Sequence, residues 1–253
     1  MSFWAATVIT NLVTSVPVVG PKLIVLIHGA FSVGGATLNR FFVLHYLFGV
    51  LLLVFIVAHI LILHAGSSSN PVVRTGAADK IQFYHYFAFK DLCGFLFACL
   101  VLVTAAFVFP NALNHPDNFN EANPLVTPTH IVPEWYFLPF YAILRSIPNK
   151  LLGVVAMAMA ILLLFALPAL VNYDSRFDNH FDDLLDWFFY IFVVVFAFLG
   201  YLGSMPAVAP YVLLSQLATA AYFSLFFMVV VGKLAIRAYI KYCQRTRRAS
   251  LFD

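Results

Sequence analysis

Residues 38–64 read LNRFFVLHYLFGVLLLVFIVAHILILH, and this stretch decides the fold. After Arg40 it contains no Asp, Glu, Lys or further Arg, and three histidines, His45, His59 and His64, interrupt its apolar side chains. About 20 continuous apolar residues are enough for a helix to cross the hydrocarbon core of a membrane. The stretch therefore predicts a transmembrane helix that carries ionisable side chains.

Four further stretches are long and apolar enough to cross a membrane. The last charge-free region, 187–232, is too long for one span, and Gly200, Gly203, Pro206 and Pro210 indicate a tight turn within it. We therefore predict an all-α integral membrane protein with five transmembrane helices. The predicted spans are 38–64, 91–110, 151–172, 184–203 and 212–240.

The composition of the whole chain supports this fold class. Of its 253 residues, 63% are hydrophobic and only 10% are charged, whereas about 25% of the residues of a soluble domain are charged. This balance excludes a soluble enzyme, a disordered segment and a nucleic-acid binder.

The first 30 residues are apolar, but Pro17, Gly20, Pro21 and Gly29 interrupt them. Since they are too broken to span a membrane, we expect two short amphipathic helices at its surface. The longest polar connection, 111–150, is rich in Pro and Asn, and loops of that length usually carry function.

The distribution of Lys and Arg predicts the orientation of the spans. An odd number of spans places the two termini on opposite sides, and the side with the C-terminus, here called n, would hold ten of the 14 Lys and Arg residues. The opposite side, called p, would hold Lys22, Arg40, Arg145 and Lys150. Because positive residues accumulate on the cytoplasmic side, the C-terminus is predicted to lie in the cytoplasm or its organellar equivalent.

His45 and His59 are separated by about four helical turns, so they project from nearly one face, ~21 Å apart along the axis. Imidazole is a usual axial ligand of haem iron, and this pair predicts two haems, one near each membrane surface. The alternative is two histidines hydrogen-bonded within the bundle. Arg40 either neutralises a haem propionate or is an interfacial arginine whose charge reaches water.

Several segments resemble cytochrome b of the quinol:cytochrome c oxidoreductase, complex III. They are MSFWAATVITNL at 1–12, FSVGGATLNRFF at 31–42, the three-histidine helix and HPDNFNEANPLVTPTHIVPEWYFLPFYAILRSIPNKLLG at 115–153. A weaker match lies at 203–218. The PEWY tetrapeptide within 115–153 is the most specific of these motifs.

The resemblance implies that the chain corresponds to the last five helices of an eight-helix cytochrome b bundle. Residues 1–110 would then be the haem-ligating part of the N-terminal domain, and 111–253 the C-terminal domain. His45 would ligate the iron of the low-potential haem on the p side, and His59 that of the high-potential haem on the n side. The second axial ligands would lie outside this chain, in a separate chain or in a part that the sequence omits.

The resemblance also implies a quinol-oxidising site on the p side, with Glu134 as the general base. Glu134 and Tyr141 are seven residues apart and would share one face of a helix. The alternative is that PEWY merely begins a helix, with Glu134 at the positive end of its dipole. The expected pocket wall comprises Val8, Ile9, Ile131, Pro133, Phe137 and Tyr141. Ala5 stands where the family usually has glycine, in the wall of the same pocket.

A quinone-reducing site is implied on the n side, where His64 and Asp91 would supply or relay protons. Ser68, Phe83 and Lys90 match family positions around it. Without the resemblance, Asp91 is better interpreted as an acidic residue at the N-terminus of a helix.

The activity that the resemblance implies is quinol oxidation on the p side, with electrons passing through two b haems to quinone on the n side and protons moving across the membrane. Ubiquinone would be the substrate. The implied partners are the missing part of cytochrome b, the Rieske iron–sulfur protein, cytochrome c1 and other complex III subunits, in a homodimeric complex surrounded by lipid and without nucleic acid. The implied location is the mitochondrial inner membrane, with the bacterial plasma membrane as alternative.

Two other functions compete with quinol oxidation. One is a non-catalytic membrane subunit or transporter fragment with structural histidines. The other is a di-haem cytochrome b of a dehydrogenase, which the PEWY motif disfavours.

Overall fold

The computed structural model describes residues 1–66, 78, 80–171 and 179–249, and almost all of the regular structure in these ranges is α-helical. Two short 3-10 turns, Pro116–Phe119 and Trp135–Phe137, lie between the fourth and fifth helices. The α-helices are α1 (Ser2–Val13), α2 (Gly20–His28), α3 (Gly35–Ala65), α4 (Phe83–Phe107), α5 (Leu138–Ser146), α6 (Lys150–Val171), α7 (Asn179–Ser204) and α8 (Tyr211–Ala249).

Five of these helices, α3, α4, α6, α7 and α8, are long and apolar enough to cross a membrane. This confirms the predicted number of spans and the all-α fold class. The first 30 residues form two short helices, as expected, and a turn at 205–210 separates α7 from α8. That α1 and α2 lie at the membrane surface stays a prediction.

The helix that contains the second predicted span begins before that span. The sequence indicated a span from residue 91, but α4 begins at Phe83, so that two further helical turns precede Asp91. The predicted span began at residue 91 because it was taken from a stretch without charged residues, and Lys90 and Asp91 end that stretch. Residues 83–89 before them read FYHYFAF and are mostly aromatic. Aromatic side chains of this kind are enriched at membrane–water interfaces, where a helix continues beyond the hydrocarbon core.

The contacts divide the chain into two compact units. The first comprises Met1–Trp4 and His28–Thr127, and it contains α3 and α4. The second comprises Ala5–Ile27 and the chain from Pro128 onward, and it contains α5 to α8. The predicted division at 110/111 falls before this boundary.

In the first unit, the side chain of Thr37 joins the beginning of α3 to His28. Its buried hydroxyl donates a hydrogen bond of 2.8 Å to the carbonyl oxygen of His28 and accepts one from the backbone N–H of Gly34. Beyond this point the long apolar side chains of α3 and α4 are exposed. Such side chains are suited to contact lipid or other apolar helices.

In the second unit, the short helix α5 packs against α6, α7 and α8. Ile143 is fully buried there together with Leu199, Leu202 and Tyr222. The hydroxyl of Tyr222 donates a hydrogen bond of 2.9 Å to the carbonyl oxygen of Ala160. Because an unpaired polar group is costly away from water, this bond fixes α8 against α6.

Two glycines allow the backbone of α5 to lie directly on its neighbours. A Cβ atom at Gly153 of α6 would lie 2.6 Å from the carbonyl oxygen of Leu144. A Cβ atom at Gly203 of α7 would lie 2.8 Å from the carbonyl carbon of Leu138 and would clash with its oxygen. The segment that follows the PEWY motif is therefore seated between α6 and α7.

We expect Gly203→Ala to destabilise the packing of α5 against α7, because the added methyl group would meet the backbone of Leu138, which cannot rotate away as a side chain can. Overpacking of this kind costs about 1–3 kcal/mol, and the thermal midpoint of the purified membrane complex should fall. Gly200→Ala is the matched control on the same helix, since its Cβ atom would meet only the ring of Pro139 at 3.6 Å, an ordinary contact. Equal midpoints for the two variants would contradict the close approach at Gly203.

Candidate functional site

His45 and His59 lie on one uninterrupted helix, α3, as their predicted geometry requires. Both side chains are exposed, and within the described ranges neither imidazole has a hydrogen-bond partner. No contact of the described residues decides between haem ligation and hydrogen bonds to other helices, so both interpretations stay predictions. Two unpaired imidazoles on one helix face form a donor set that fits haem iron.

Arg40 lies one to two turns before His45, at the beginning of α3. Its guanidinium lies against Gly29, where a Cβ atom would be only 2.5 Å from the guanidinium carbon. Gly29 has a φ of +69°, which side chains disfavour. The turn between α2 and α3 thus holds the charge at the end of the histidine helix, and its contact with a haem propionate stays a prediction.

Glu134 does not share a helix face with Tyr141, so this part of the sequence interpretation was wrong. Glu134 has extended backbone and immediately precedes the 3-10 turn Trp135–Phe137, while α5 begins only at Leu138. The carbonyl oxygen of Glu134 accepts a hydrogen bond of 2.9 Å from the N–H of Phe137. Pro139 lacks an N–H group and occupies the first turn of α5, a position that favours a helix start there.

The carboxylate of Glu134 is available for chemistry. It is exposed, and although Glu134 stands at the N-terminal end of the turn, its side chain makes no capping hydrogen bond. The carboxylate of Glu134 is therefore not held by a hydrogen bond at the turn. Glu134 lies at the N-terminal end of the turn that leads into α5, so the alternative, a favourable interaction with the positive end of a helix dipole, also stays a prediction.

Tyr141 and Ile131 are the two predicted pocket residues that the structure joins directly. The hydroxyl of Tyr141 donates a hydrogen bond of 3.3 Å to the carbonyl oxygen of Ile131. Pro133 and Ile131 are half-buried, whereas Phe137 is 52% exposed. The segment before Glu134 is thus tied to α5, and the ring of Phe137 is open to a ligand.

Val8 and Ile9 lie in the middle of α1, with Val8 half-buried and Ile9 exposed. The end of the same helix is held by Lys150, whose Nζ donates hydrogen bonds of 2.7 Å to Thr14 and 3.2 Å to Asn11. These bonds join α1 to the beginning of α6 within the second unit. That Val8 and Ile9 line the quinol pocket stays a prediction.

On the predicted n side, the structure places Phe83 and Lys90 along one face of α4. The ring of Phe83 stacks on that of Phe87 at 6.5 Å, and Nζ of Lys90 lies 5.9 Å from the centroid of Phe87. Phe87 was not predicted as a site residue from the sequence, although it follows Phe83 at the helical spacing of four.

Asp91 lies in the third turn of α4, whose first turn contains no acidic residue. Its interpretation as an N-terminal carboxylate of the helix was therefore wrong. His64 lies in the last turn of α3 and is exposed. A pocket shared by His64 and Asp91 stays a prediction, and Ser68 lies outside the described residues.

No role at the site was predicted for Arg145 from the sequence. It donates hydrogen bonds to three backbone carbonyl groups at the C-terminal end of α7 and stacks on Tyr141. A charged residue within the apolar run of α5 was a signal for such an arrangement, because a charge there needs partners.

Two family models match the chain, and between them they cover most of it. The model of the cytochrome b (N-terminal)/b6/petB family matches residues 1–116. That of the cytochrome b (C-terminal)/b6/petD family matches residues 121–223. The chain belongs to the cytochrome b family. The resemblance inferred from the PEWY motif and the histidine helix is thereby confirmed.

Curated relatives named cytochrome b are similar to the chain over nearly its whole length. The protein of Spizellomyces punctatus is 48% identical over 240 residues, which are 95% of this chain and 60% of the relative. That of Rhodospirillum rubrum is 50% identical over 91% of this chain and 57% of the relative. The protein of Saccharomyces cerevisiae is 48% identical over 91% and 60%. The chain thus spans about three fifths of the length of these cytochromes b.

A solved structure shares the fold. A chain of a hyperthermophilic respiratory complex III superposes with a TM-score of 0.73 at 28% identity, covering 91% of this chain and 61% of that one. The helical architecture described above is therefore that of a cytochrome b from a respiratory complex III.

Proposed function

We propose that the chain is part of the haem-bearing, quinone-binding core subunit of a quinol:cytochrome c oxidoreductase. In this complex quinol is oxidised on the p side, electrons pass through two b haems to quinone on the n side, and proton translocation is coupled to the transfer. The observation that carries the proposal is the pair of unpaired imidazoles, His45 and His59, along one side of the single helix α3. Ionisable groups in an apolar span are costly, so a pair of them is expected to serve a function.

His45 and His59 would each hold one haem from one side, with the second axial ligand outside this chain. The haems supply one-electron transfer across the membrane when bound. The protein's own part is to fix the two iron ligands ~21 Å apart along a rigid helix. Arg40, held against Gly29 before the first of them, would place a positive charge beside a propionate.

At the p-side site, quinol would lose two protons and two electrons. One electron would pass to the Rieske iron–sulfur protein and on to cytochrome c1, and the other to the b haems. The uncapped carboxylate of Glu134 is suited to accept one proton from a quinol hydroxyl and to rotate toward water to release it. Tyr141, Ile131, Pro133 and Phe137 would form the wall, together with Val8 and Ile9 of α1. On the n side, His64 and Asp91 would deliver protons to quinone beside Ser68, Phe83 and Lys90.

The remaining assignments follow from this role. The enzyme would be a quinol–cytochrome c reductase, with ubiquinone as substrate, and the chain would act only within the complex. Its partners would be the rest of cytochrome b, the Rieske iron–sulfur protein, cytochrome c1 and further complex III subunits, assembled as a homodimer in lipid. The location would be the mitochondrial inner membrane, with the bacterial plasma membrane as the alternative.

A reduced-minus-oxidised difference spectrum of the purified complex containing this chain tests the proposal. Two b-type haem signals are expected, together with quinol:cytochrome c turnover. A non-catalytic subunit or a transporter fragment would show no b-type band, and that result would remove the proposed function.

Ala5 leads to a prediction specific to this chain. The family usually has glycine here, and a methyl group in the pocket wall would oppose strobilurin-type inhibitors that lie close to the backbone of α1. Overpacking of about 1–3 kcal/mol corresponds to roughly 5- to 150-fold weaker inhibition. We therefore expect natural insensitivity, relieved by Ala5→Gly, in an inhibitor titration of turnover. Equal and high sensitivity of both forms would refute the prediction.

A further inference from the structure

Arg145 is a charged side chain in the apolar helix α5, and its guanidinium is fixed at the C-terminal end of α7. Nη2 donates hydrogen bonds to the carbonyl oxygens of Leu202, Gly203 and Met205, at 2.9, 3.2 and 2.9 Å. The last carbonyl groups of a helix lack partners within it and carry partial negative charge. The end of α7 is therefore a strong and rigid anchor for this guanidinium.

The same guanidinium lies over the ring of Tyr141, with Cζ 4.6 Å from the ring centroid. All three bonds to α7 come from Nη2, while the buried Nε has no hydrogen-bond partner among the described residues. In this orientation the Nε–H group of Arg145 lacks a partner among the described residues, but the positively charged guanidinium lies over the ring of Tyr141. Cation–π attraction is effective at this separation.

The other end of Tyr141 is also held. Its hydroxyl donates to the carbonyl oxygen of Ile131, and the neighbouring His130 places Nε2 3.1 Å from the carbonyl oxygen of Ser204, again at the end of α7. The tyrosine and the segment that leads to Glu134 therefore share one anchor. Neither can move relative to α7 without breaking a contact of Arg145 or His130.

We propose that Arg145 is a positioning residue of the quinol-oxidising site, which fixes the orientation of the Tyr141 ring by linking it to the end of α7. The inference rests on the proposed function, because it concerns quinol binding only if Tyr141 lies in that pocket. Arg145 acts through Tyr141, and its guanidinium is already engaged by α7.

Arg145→Lys in the assembled complex is the first test. Lysine keeps the charge and can bond to a carbonyl oxygen, but it lacks the flat group that both bridges the carbonyls and stacks on the ring. The span of cation–π strengths corresponds to about a 2- to 30-fold change. We expect the KM for quinol to rise within this range, with a smaller change in kcat.

Ser146→Ala is the matched control, because Ser146 is the next residue of α5 and is also buried. Its hydroxyl donates to the carbonyl oxygen of Ile143 and accepts from Thr219, and none of its bonds in the described ranges involves Tyr141. We expect this variant to lower the thermal midpoint of the complex and to leave the KM for quinol unchanged. A purely structural role of Arg145 would give the same pattern in Arg145→Lys, and that result would overturn the inference.

A double-mutant cycle separates the two roles. In a Tyr141→Leu background the ring is absent, so Arg145→Lys should cause no further rise in KM. An equal rise in both backgrounds would overturn the inference. If the complex with Arg145→Lys does not assemble, the variants Tyr141→Phe and Tyr141→Leu are compared instead. Tyr141→Phe keeps a ring under the guanidinium, so its KM for quinol should be lower than that of Tyr141→Leu. Equal KM values for these two variants would overturn the positioning role.

The inference and the proposed function can fail separately. If Glu134→Gln slows turnover while Arg145→Lys leaves KM unaltered, only the positioning role is lost. If no b-type haem and no quinol turnover are found in the complex, the proposed function itself is lost.

Discussion

Turnover of quinol by the Glu134→Gln variant of the assembled complex is expected to fall by about 10²- to 10⁴-fold, the usual contribution of a general base. Glutamine keeps the size of the side chain and its capacity to hydrogen-bond, but it cannot accept the proton that quinol must lose. Because the carboxylate makes no capping hydrogen bond, the substitution should disturb the fold very little. Steady-state reduction of cytochrome c by quinol measures the effect.

The control for this prediction is the haem content of the same preparation, which should equal that of the unmodified complex. Glu121 provides a matched substitution, since it is a second exposed glutamate of the same loop region and is not assigned to the pocket. Glu121→Gln should retain turnover. If Glu134→Gln has normal turnover at every pH tested, Glu134 is not the base.

His45→Ala and His59→Ala are each expected to abolish the signal of one b haem, and the two variants should lose different ones. A methyl group cannot ligate iron, so each variant would lack one axial ligand of one haem. Difference spectra with a redox titration assign the lost signal. On the proposed topology, His45→Ala loses the low-potential haem and His59→Ala the high-potential one.

His64 is the internal control for this pair, because it lies on the same helix about 140° around the axis from His59. His64→Ala should keep both b-type signals and instead slow quinone reduction on the n side. Loss of a haem in His64→Ala, or retention of both haems in His45→Ala or His59→Ala, would show that the ligands have been assigned wrongly.

The spans could be predicted because each depends on local composition alone. A run of apolar residues such as 151–171 forms a helix whatever surrounds it, since backbone polar groups in lipid must be paired within the segment. The histidine geometry was predictable for the same reason, because α3 is a regular helix. The beginning of α4 was missed because a charge criterion finds the edge of the hydrocarbon core, whereas the helix continues past that edge.

The surroundings of Glu134 could not be predicted as well from the sequence. The direction of its side chain depends on a 3-10 turn of three residues. A segment this short has no periodicity that would distinguish such a turn from the beginning of an α-helix. The role of Arg145 depends on α7, about 57 residues further along the chain. Such long-range contacts leave no spacing pattern, and the glycine at 203 that permits them was interpreted only as part of a turn.

The early beginning of α4 has a consequence for the depth of its charged residues. A helix of 25 residues rises ~37 Å, which exceeds the ~30 Å thickness of the hydrocarbon core. Its first two turns, with the aromatic rings from Phe83 to Phe89, would lie among the lipid headgroups, as amphipathic rings do. Lys90 and Asp91 would then be held at the boundary between headgroups and hydrocarbon. At that depth the side chains of Lys90 and Asp91 would still reach the headgroup region, while the residues that follow them along α4 would face the apolar core of the membrane.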